Sequence, residues 1–411
     1  MRTLAFSLCM IPAFAQQYDL LLKGGHVVDP KNGVNAVRDV AIKGDRVAEV
    51  GSDIAASQAA KTIDASGLYV TPGLVDIHAH VFAGSRAGTT NGGQSSFYPD
   101  NLSFRTGVTT MVDPGSSGWR DFPDFRRTII ERARTRVLAM LNIVGVGILA
   151  YELEQNVNDL NPQLTADMAK KHNDVVVGIK SAHWWAPNYI SVERALEAGK
   201  LANIPVMVDF GYFLAERPYS HMVTELLRPG DMSTHCFRWP APLLDANGQP
   251  AEFLLQARRR GVKFDVGHGG GSFFFRLAAP LAKAGFYPDS ISTDMHTQSM
   301  NHAMQDMPTT MSKFLAMGMP LVEVVRASTT NPATQVKHPE LGQIAAGSEA
   351  DIAVFRLETG AFGFADVVGG RIEGKQRLGC EMTLRAGKIV YDLNARAAVP
   401  WGTRDLKYPV K

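Results

Sequence analysis

Thr71-Pro-Gly-Leu-Val-Asp-Ile-His78-Ala-His80 decides how this chain is read. Gly73 to Ile77 is a short, mostly apolar run of strand character, and it ends on two histidines two positions apart. Period-two geometry sends both imidazoles to the same side, where they can chelate one ion. A His-x-His pair also occurs incidentally on loops, so its weight depends on what the neighbouring strand ends carry.

Working outward, apolar strand-like runs alternate with amphipathic helix-like ones from about residue 72 to 340. The expected strand ends are His80, Asp113, Asn142, Lys180, Asp209, His235, Gly267 and Asp294, spaced 26 to 38 residues apart. Helices are expected over 122–134, 192–202, 251–260 and 277–284, where apolar positions recur at three and four. Eight βα units with right-handed crossovers close into a (β/α)8 TIM barrel, although a doubly wound open sheet fits the alternation alone. Barrel enzymes carry their chemistry at the C-terminal ends of several strands, and these ends carry chemistry.

Val175-Val-Val-Gly-Ile-Lys180 ends on a lysine. Poorly solvated there, it has a lowered pKa and a neutral amine able to react with carbon dioxide; the plainer reading is a lysine reaching past the strand to water. Met232-Ser-Thr-His235 offers a third histidine, and Ser290-Ile-Ser-Thr-Asp294 an acid. His268, within Gly267-His-Gly-Gly-Gly-Ser272, sits in a loop whose glycines let backbone approach a ligand, and reads as substrate-binding. Trp184-Trp185 form either an apolar wall or plain packing, and Arg86, Gly92 and Gly93 lie in a polar loop suited to a lid.

The flanks have another style. Residues 18–71 are short apolar runs broken by Gly24-Gly25, Pro30, Gly33, Gly44-Asp45 and Gly51, and Asp351-Ile-Ala-Val-Phe355 repeats the pattern. Residues 16–71 and 341–411 are therefore expected to form one small β domain beside the barrel of residues 72–340. Residues 1–15, with Arg2, an apolar run and Ala13-Phe-Ala15, read as a secretory signal peptide with an A-x-A cleavage site, so the protein is expected to be exported and periplasmic; a frayed apolar terminus of a cytoplasmic chain is the competing reading. No other stretch reaches the roughly 20 apolar residues of a membrane span.

Composition narrows the partners. The 42 basic and 40 acidic side chains leave a net charge of +2, which gives nucleic acid or an anionic membrane no purchase. Cys9, Cys236 and Cys380 share no metal-type spacing, so metal ligands must be histidines and carboxylates. A homo-oligomer is compatible with all of this.

Thr71 to His80, Gly178-Ile-Lys180, Thr234-His-Cys-Phe237, Phe264-Asp-Val-Gly-His-Gly269, Ile291-Ser-Thr-Asp294 and Ala350-Asp-Ile-Ala-Val-Phe355 together resemble the amidohydrolase superfamily, in its deacetylase-like group related to dihydroorotases. The resemblance runs from about residue 18 to the end. It implies a distorted (β/α)8 barrel beside a small β-sandwich, and one or two divalent ions, commonly zinc. It makes His78, His80 and Asp294 ligands of the deeper ion, a carboxylated Lys180 the bridge, and His235 a ligand of the second ion. It also makes Asp294 the catalytic base that later acts as acid.

Asp209 stands where the family usually has histidine. With Asp294 and carboxylated Lys180 it gives three anionic ligands instead of two, which weakens Lewis acidity and tilts preference toward harder ions such as manganese. A second site that is weaker or differently loaded is the expectation, with His183 a substitute ligand or, more simply, a substrate-binding residue. The implied activity is metal-dependent hydrolysis of a carbon–nitrogen bond other than a peptide bond, or of an ester, in a small acylated substrate. A dihydroorotase-like cyclic amidase and a non-catalytic binding barrel are the alternatives.

Overall fold

The computed structural model describes residues 16–83 and 95–403. The signal-peptide reading and the loop with Arg86, Gly92 and Gly93 lie outside the described residues. Among the described residues, fifteen strands form two sheets. The first draws on both flanks: β1 (Tyr18–Asp29), β2 (Val34–Lys43), β3 (Arg46–Gly51), β4 (Ala59–Asp64) and β5 (Tyr69–Pro72) come from one, and β13 (Ile352–Ala365), β14 (Arg371–Arg385) and β15 (Lys388–Asp392) from the other. The second holds β6 (Leu74–Asp76), β7 (Val108–Gly118), β8 (Arg136–Asn142), β9 (Val176–Ser181), β10 (Val206–Val208), β11 (Met232–Ser233) and β12 (Lys263–Phe264).

The flanking sheet is mixed and continuous, in the order β15-β14-β13-β5-β1-β2-β3, with β4 also paired to β1. Alternation along β1 explains its two buried faces: Leu20 and Leu22 enter one apolar cluster and Leu21 another, and the register shift between Leu22 and Gly25 returns Val27 to the first. The chain ends meet where β13 runs antiparallel to β5, Ile352 opposite Pro72. Hydrogen bonding thus gives one branched sheet where two packed sheets were expected. Only Gly73 separates β5 from β6, and a Cβ there would lie 2.3 Å from Thr109 Oγ1, so the crossing needs glycine.

The second sheet is wholly parallel, in the sequential order β6 to β12. Both of its faces are buried. Val137, Ala139 and Leu141 of β8 join the large cluster that includes the helices, whereas Leu138 and Met140 join Val75, Val112, Val177, Met207 and Met232 in a cluster on the enclosed side, closed by Ala333, Val336 and Leu341. Covering helices include Ile190–Ala202, Glu252–Arg259 and Phe275–Lys283, near their expected positions. The expected helix over 122–134 is instead an α-turn, Phe122–Phe125, running into a π-turn, Arg126–Ile130; Phe122, Phe125 and Ile129 still face inward. Arg136 Nη1 binds Asp351 Oδ2 at 2.7 Å and ties the two sheets together.

Among the described residues, no regular strand occupies the eighth position. Residues 290–295 touch both sheet edges through single parallel bridges, Asp265 to Ser290 and Ala79 to Met295. The reason is chemical. Ser290 Oγ and Ser292 Oγ donate to Asp265 (2.6 and 2.8 Å), Thr293 Oγ1 donates to Asp76 (2.5 Å), and Asp294 turns into the left-handed region at φ 48°. Side-chain bonding to two buried acids, together with that turn, replaces a regular ladder.

Candidate metal centre and active-site cavity

The C-terminal ends of the parallel strands open onto a cavity of about 440 Å³. His78, His80, Lys180, His183, Asp209, His235 and Asp294 all line it. Lys180 is still within β9, but His78, His80, Asp209 and His235 fall one to four residues beyond their strands, where backbone no longer has to serve the ladder. His183, His235 and Asp294 have φ of 50°, 57° and 48°, a conformation uncommon outside glycine and suited to turning a side chain into a site.

His78, His80 and Asp294 offer three donor atoms within 4.8 Å of one another. Asp294 Oδ1 lies 3.1 Å from His80 Nε2 and 3.5 Å from His78 Nε2. Thr234 Oγ1 donates to Asp265 Oδ2 at 2.7 Å, so it accepts from His78 Nδ1 at 2.9 Å, which leaves His78 Nε2 with its lone pair toward the cavity. His235 Nδ1 faces the Gly267 carbonyl at 2.6 Å; a carbonyl only accepts, so His235 Nε2 is also unprotonated and free to ligate. Burial keeps both rings below the usual histidine pKa. This donor set fits a divalent ion held by nitrogen and carboxylate, with the remote ring nitrogens anchored as metal-site histidines require. Thr234→Val keeps the shape and removes the relay, and is expected to weaken metal binding about 10- to 100-fold in a chelator-competition titration. An unchanged affinity would remove Thr234 from that role.

Lys180 is buried, with Nζ 3.4 Å from His78 Nε2, and burial lowers its pKa. Gly115 makes room for it: a Cβ there would meet the lysine side chain at 2.9 Å. Burial opposes ionisation of Asp294, but the hydrogen bond from His80 and the surrounding imidazoles outweigh it and hold the carboxyl below its usual range. Asp209 is likewise buried yet held far below the usual range by His235, Arg238 and His183. Arg238 Nη1 and Gly211 N bind its Oδ1 at 3.1 and 2.8 Å.

A deacetylase of Agrobacterium fabrum is 34% identical over 80% of each chain, and a deacetylase of Enterococcus faecalis is 30% identical over 91% of this chain and 99% of the other. The chain belongs to the amidohydrolase superfamily. The amidohydrolase family pattern itself matches residues 275–390. Among solved amidohydrolase-type structures, a dihydroorotase at 30% identity covers 91% of this chain and 99% of its own, with a TM-score of 0.80. An adenine deaminase at 29% identity gives 0.81, covering 91% of this chain and 100% of its own.

Not every expected residue of this amidohydrolase reaches the cavity. His268 is fully buried beneath it, stacked on Phe273 with ring centroids 4.5 Å apart, its Nδ1 on the Gly269 carbonyl and its Nε2 facing Lys313 Nζ at 2.6 Å. It braces the glycine loop from below, where substrate contact was expected. Trp184 is buried with its Nε1 on Asn188, while Trp185 stands against Tyr212, whose ring lines the cavity. Sequence reasoning missed Glu154, Arg238, His296, Tyr151 and Lys313. Glu154 is fully buried two residues after exposed Glu152, and nothing in that loop's spelling separates them.

Burial takes the Lys313 pKa down to about 7. The unfolded chain keeps that proton to about pH 10. Between the two values the unfolded state binds more protons, so this lysine makes stability rise with pH from about 7 to 10. The melting-temperature difference between wild type and Lys313→Met is therefore expected to move in favour of wild type across that window. A constant difference would show that Lys313 stays charged in the fold.

Proposed function

We propose that this amidohydrolase is a metal-dependent deacetylase that cleaves an amide or ester bond of a small acylated molecule. The observation that carries the reading is the meeting of His78, His80 and Asp294, with ligand atoms within 4.8 Å of one another, in one cavity. In this reading the seven parallel strands and residues 290–295 form the (β/α)8 barrel, the flanking mixed sheet is the small β domain beside it, and the N-terminal apolar run directs export to the periplasm. His78, His80 and Asp294 would hold one ion, commonly zinc. Lys180, its neutral amine having added carbon dioxide and lost a proton, would join Asp209 and His235 around a second.

A divalent ion bound there supplies carbonyl polarisation and a water acidic enough to react near neutral pH. The protein supplies the rest. Ionised Asp294 takes a proton from the attacking water and returns it to the leaving nitrogen or oxygen. His183 and Arg238 hold Asp209 in place, and Tyr151 and Tyr212 give the acyl-bearing molecule an aromatic wall. The named deacetylases match most of the chain, which favours this reading. The dihydroorotase structure supports a second, ring-opening one on the same residues.

Linear N-acetyl and O-acetyl compounds assayed beside cyclic imides and dihydroorotate separate the two. Preference for the linear acetyl compounds is expected. Turnover confined to the cyclic substrates would replace the deacetylase reading with the cyclic amidase.

A further inference from the structure

We propose that His183 supplies the nitrogen that Asp209 took away from the fifth strand, so that His183, Asp209 and His235 form the seat of a second divalent cation. This rests on the metal-dependent reading above and changes its ligand set: His183 passes from a brace on Asp209 to a metal ligand.

His183 lies three residues after Lys180, just beyond β9. Its φ of 50° is sparsely populated by non-glycine residues and persists where the surroundings impose it. The surroundings here are specific. Its backbone packs so closely on Gly211 that a Cβ at residue 211 would lie 3.1 Å from the His183 Cα. Its Nδ1 sits 3.0 Å from the buried Glu154 Oε1, a pairing that orients a metal-binding imidazole and leaves the other nitrogen to ligate.

That other nitrogen, Nε2, is 3.3 Å from Asp209 Oδ2. His235 Nε2, its ring fixed by the Gly267 carbonyl, is 3.6 Å from the same oxygen. Two ligand atoms each about 2.1 Å from a tetrahedral ion are separated by about 3.4 Å. Asp209 Oδ1 is already engaged by Gly211 and Arg238, so Oδ2 is the oxygen left for a cation. Two nitrogens and one carboxylate oxygen are a borderline donor set that suits zinc, not the oxygen-rich set that Asp209 alone suggests. Residues 183 and 209 are thus paired: the histidine the fifth strand lacks reappears beside it, on the loop that follows the neighbouring strand β9.

The test counts ions in the full-length protein loaded with zinc and dialysed, and records the visible absorption of the cobalt-loaded form. Wild type is expected to hold two ions per chain and His183→Gln one, with circular dichroism unchanged and the cobalt spectrum reduced to one site. Adding Asp209→His to His183→Gln returns a nitrogen to the fifth strand and is expected to restore the second ion. Two ions retained in His183→Gln overturn the proposal, since a His183 held only as an imidazolium between Glu154 and Asp209 leaves the count unaltered. No recovery in the double variant overturns it as well. A wild type with a single ion that leaves on His80→Ala refutes the second seat alone, whereas a wild type with no ion refutes the metal-dependent reading itself.

Discussion

Asp294→Asn is expected to lower turnover by about 10²- to 10⁴-fold while substrate affinity changes little, the range associated with losing a positioned general base. The replacement is well matched to the site. Asparagine tolerates the left-handed φ of 48° that residue 294 adopts, and it keeps the size of the side chain beside His80 and His78. It removes the ionised oxygen, which His80 and the neighbouring imidazoles keep unprotonated despite burial. Steady-state kinetics on an acetylated substrate, with metal content measured in the same preparation, checks this. Full turnover in a metal-replete Asn variant would assign the base to another residue.

Gly269→Ala is expected to cost activity on the order of 10²-fold, although residue 269 carries no functional group. A Cβ there would lie 2.2 Å from Asp294 Oδ2, and the backbone φ of 52° disfavours any Cβ. The carboxylate must move, and a shift of about 1 Å in a reacting group is enough for a loss of roughly that size. Gly271→Ala, two residues on, meets nothing within 4 Å and is expected to lose far less. Equal losses in both variants would point to general stiffening of the loop in place of a displaced Asp294.

The site was legible where a chemical residue follows an apolar run. His78, Lys180 and Asp209 each end such a run, His235 and Asp294 end short stretches of mixed polarity, and all line the one cavity. What the sequence hid are residues whose importance comes from packing. Glu154 is spelled like its exposed neighbour Glu152, and Arg238 is one polar residue in a loop until Asp209 is placed beside it. Lys313 lies on the helix Met307–Ala316 and looks solvent-facing, yet it is buried against His268 and donates to the Ala303 carbonyl at 2.6 Å.

The fold was legible in outline for a similar reason. Seven of the expected runs became parallel strands; those of β8, β9 and β10 are continuously apolar because both faces of such a strand are buried. The eighth, Ser290-Ile-Ser-Thr, alternates like a strand, but its polar side chains bond Asp265 and Asp76, acids whose partners no local pattern reveals. Likewise, glycines around His268 suggested an open ligand loop, and only the packing of Phe273 and Lys313 shows that the ring faces inward.

The most direct measurement is the divalent-ion content of the purified protein, coupled to hydrolysis of acetylated substrates by the native, chelated and zinc-reconstituted forms. The account predicts at least one ion per chain, lost in His78→Ala and His80→Ala, with activity that disappears on chelation and returns with zinc. Hydrolysis that continues at full rate in metal-free protein would contradict it.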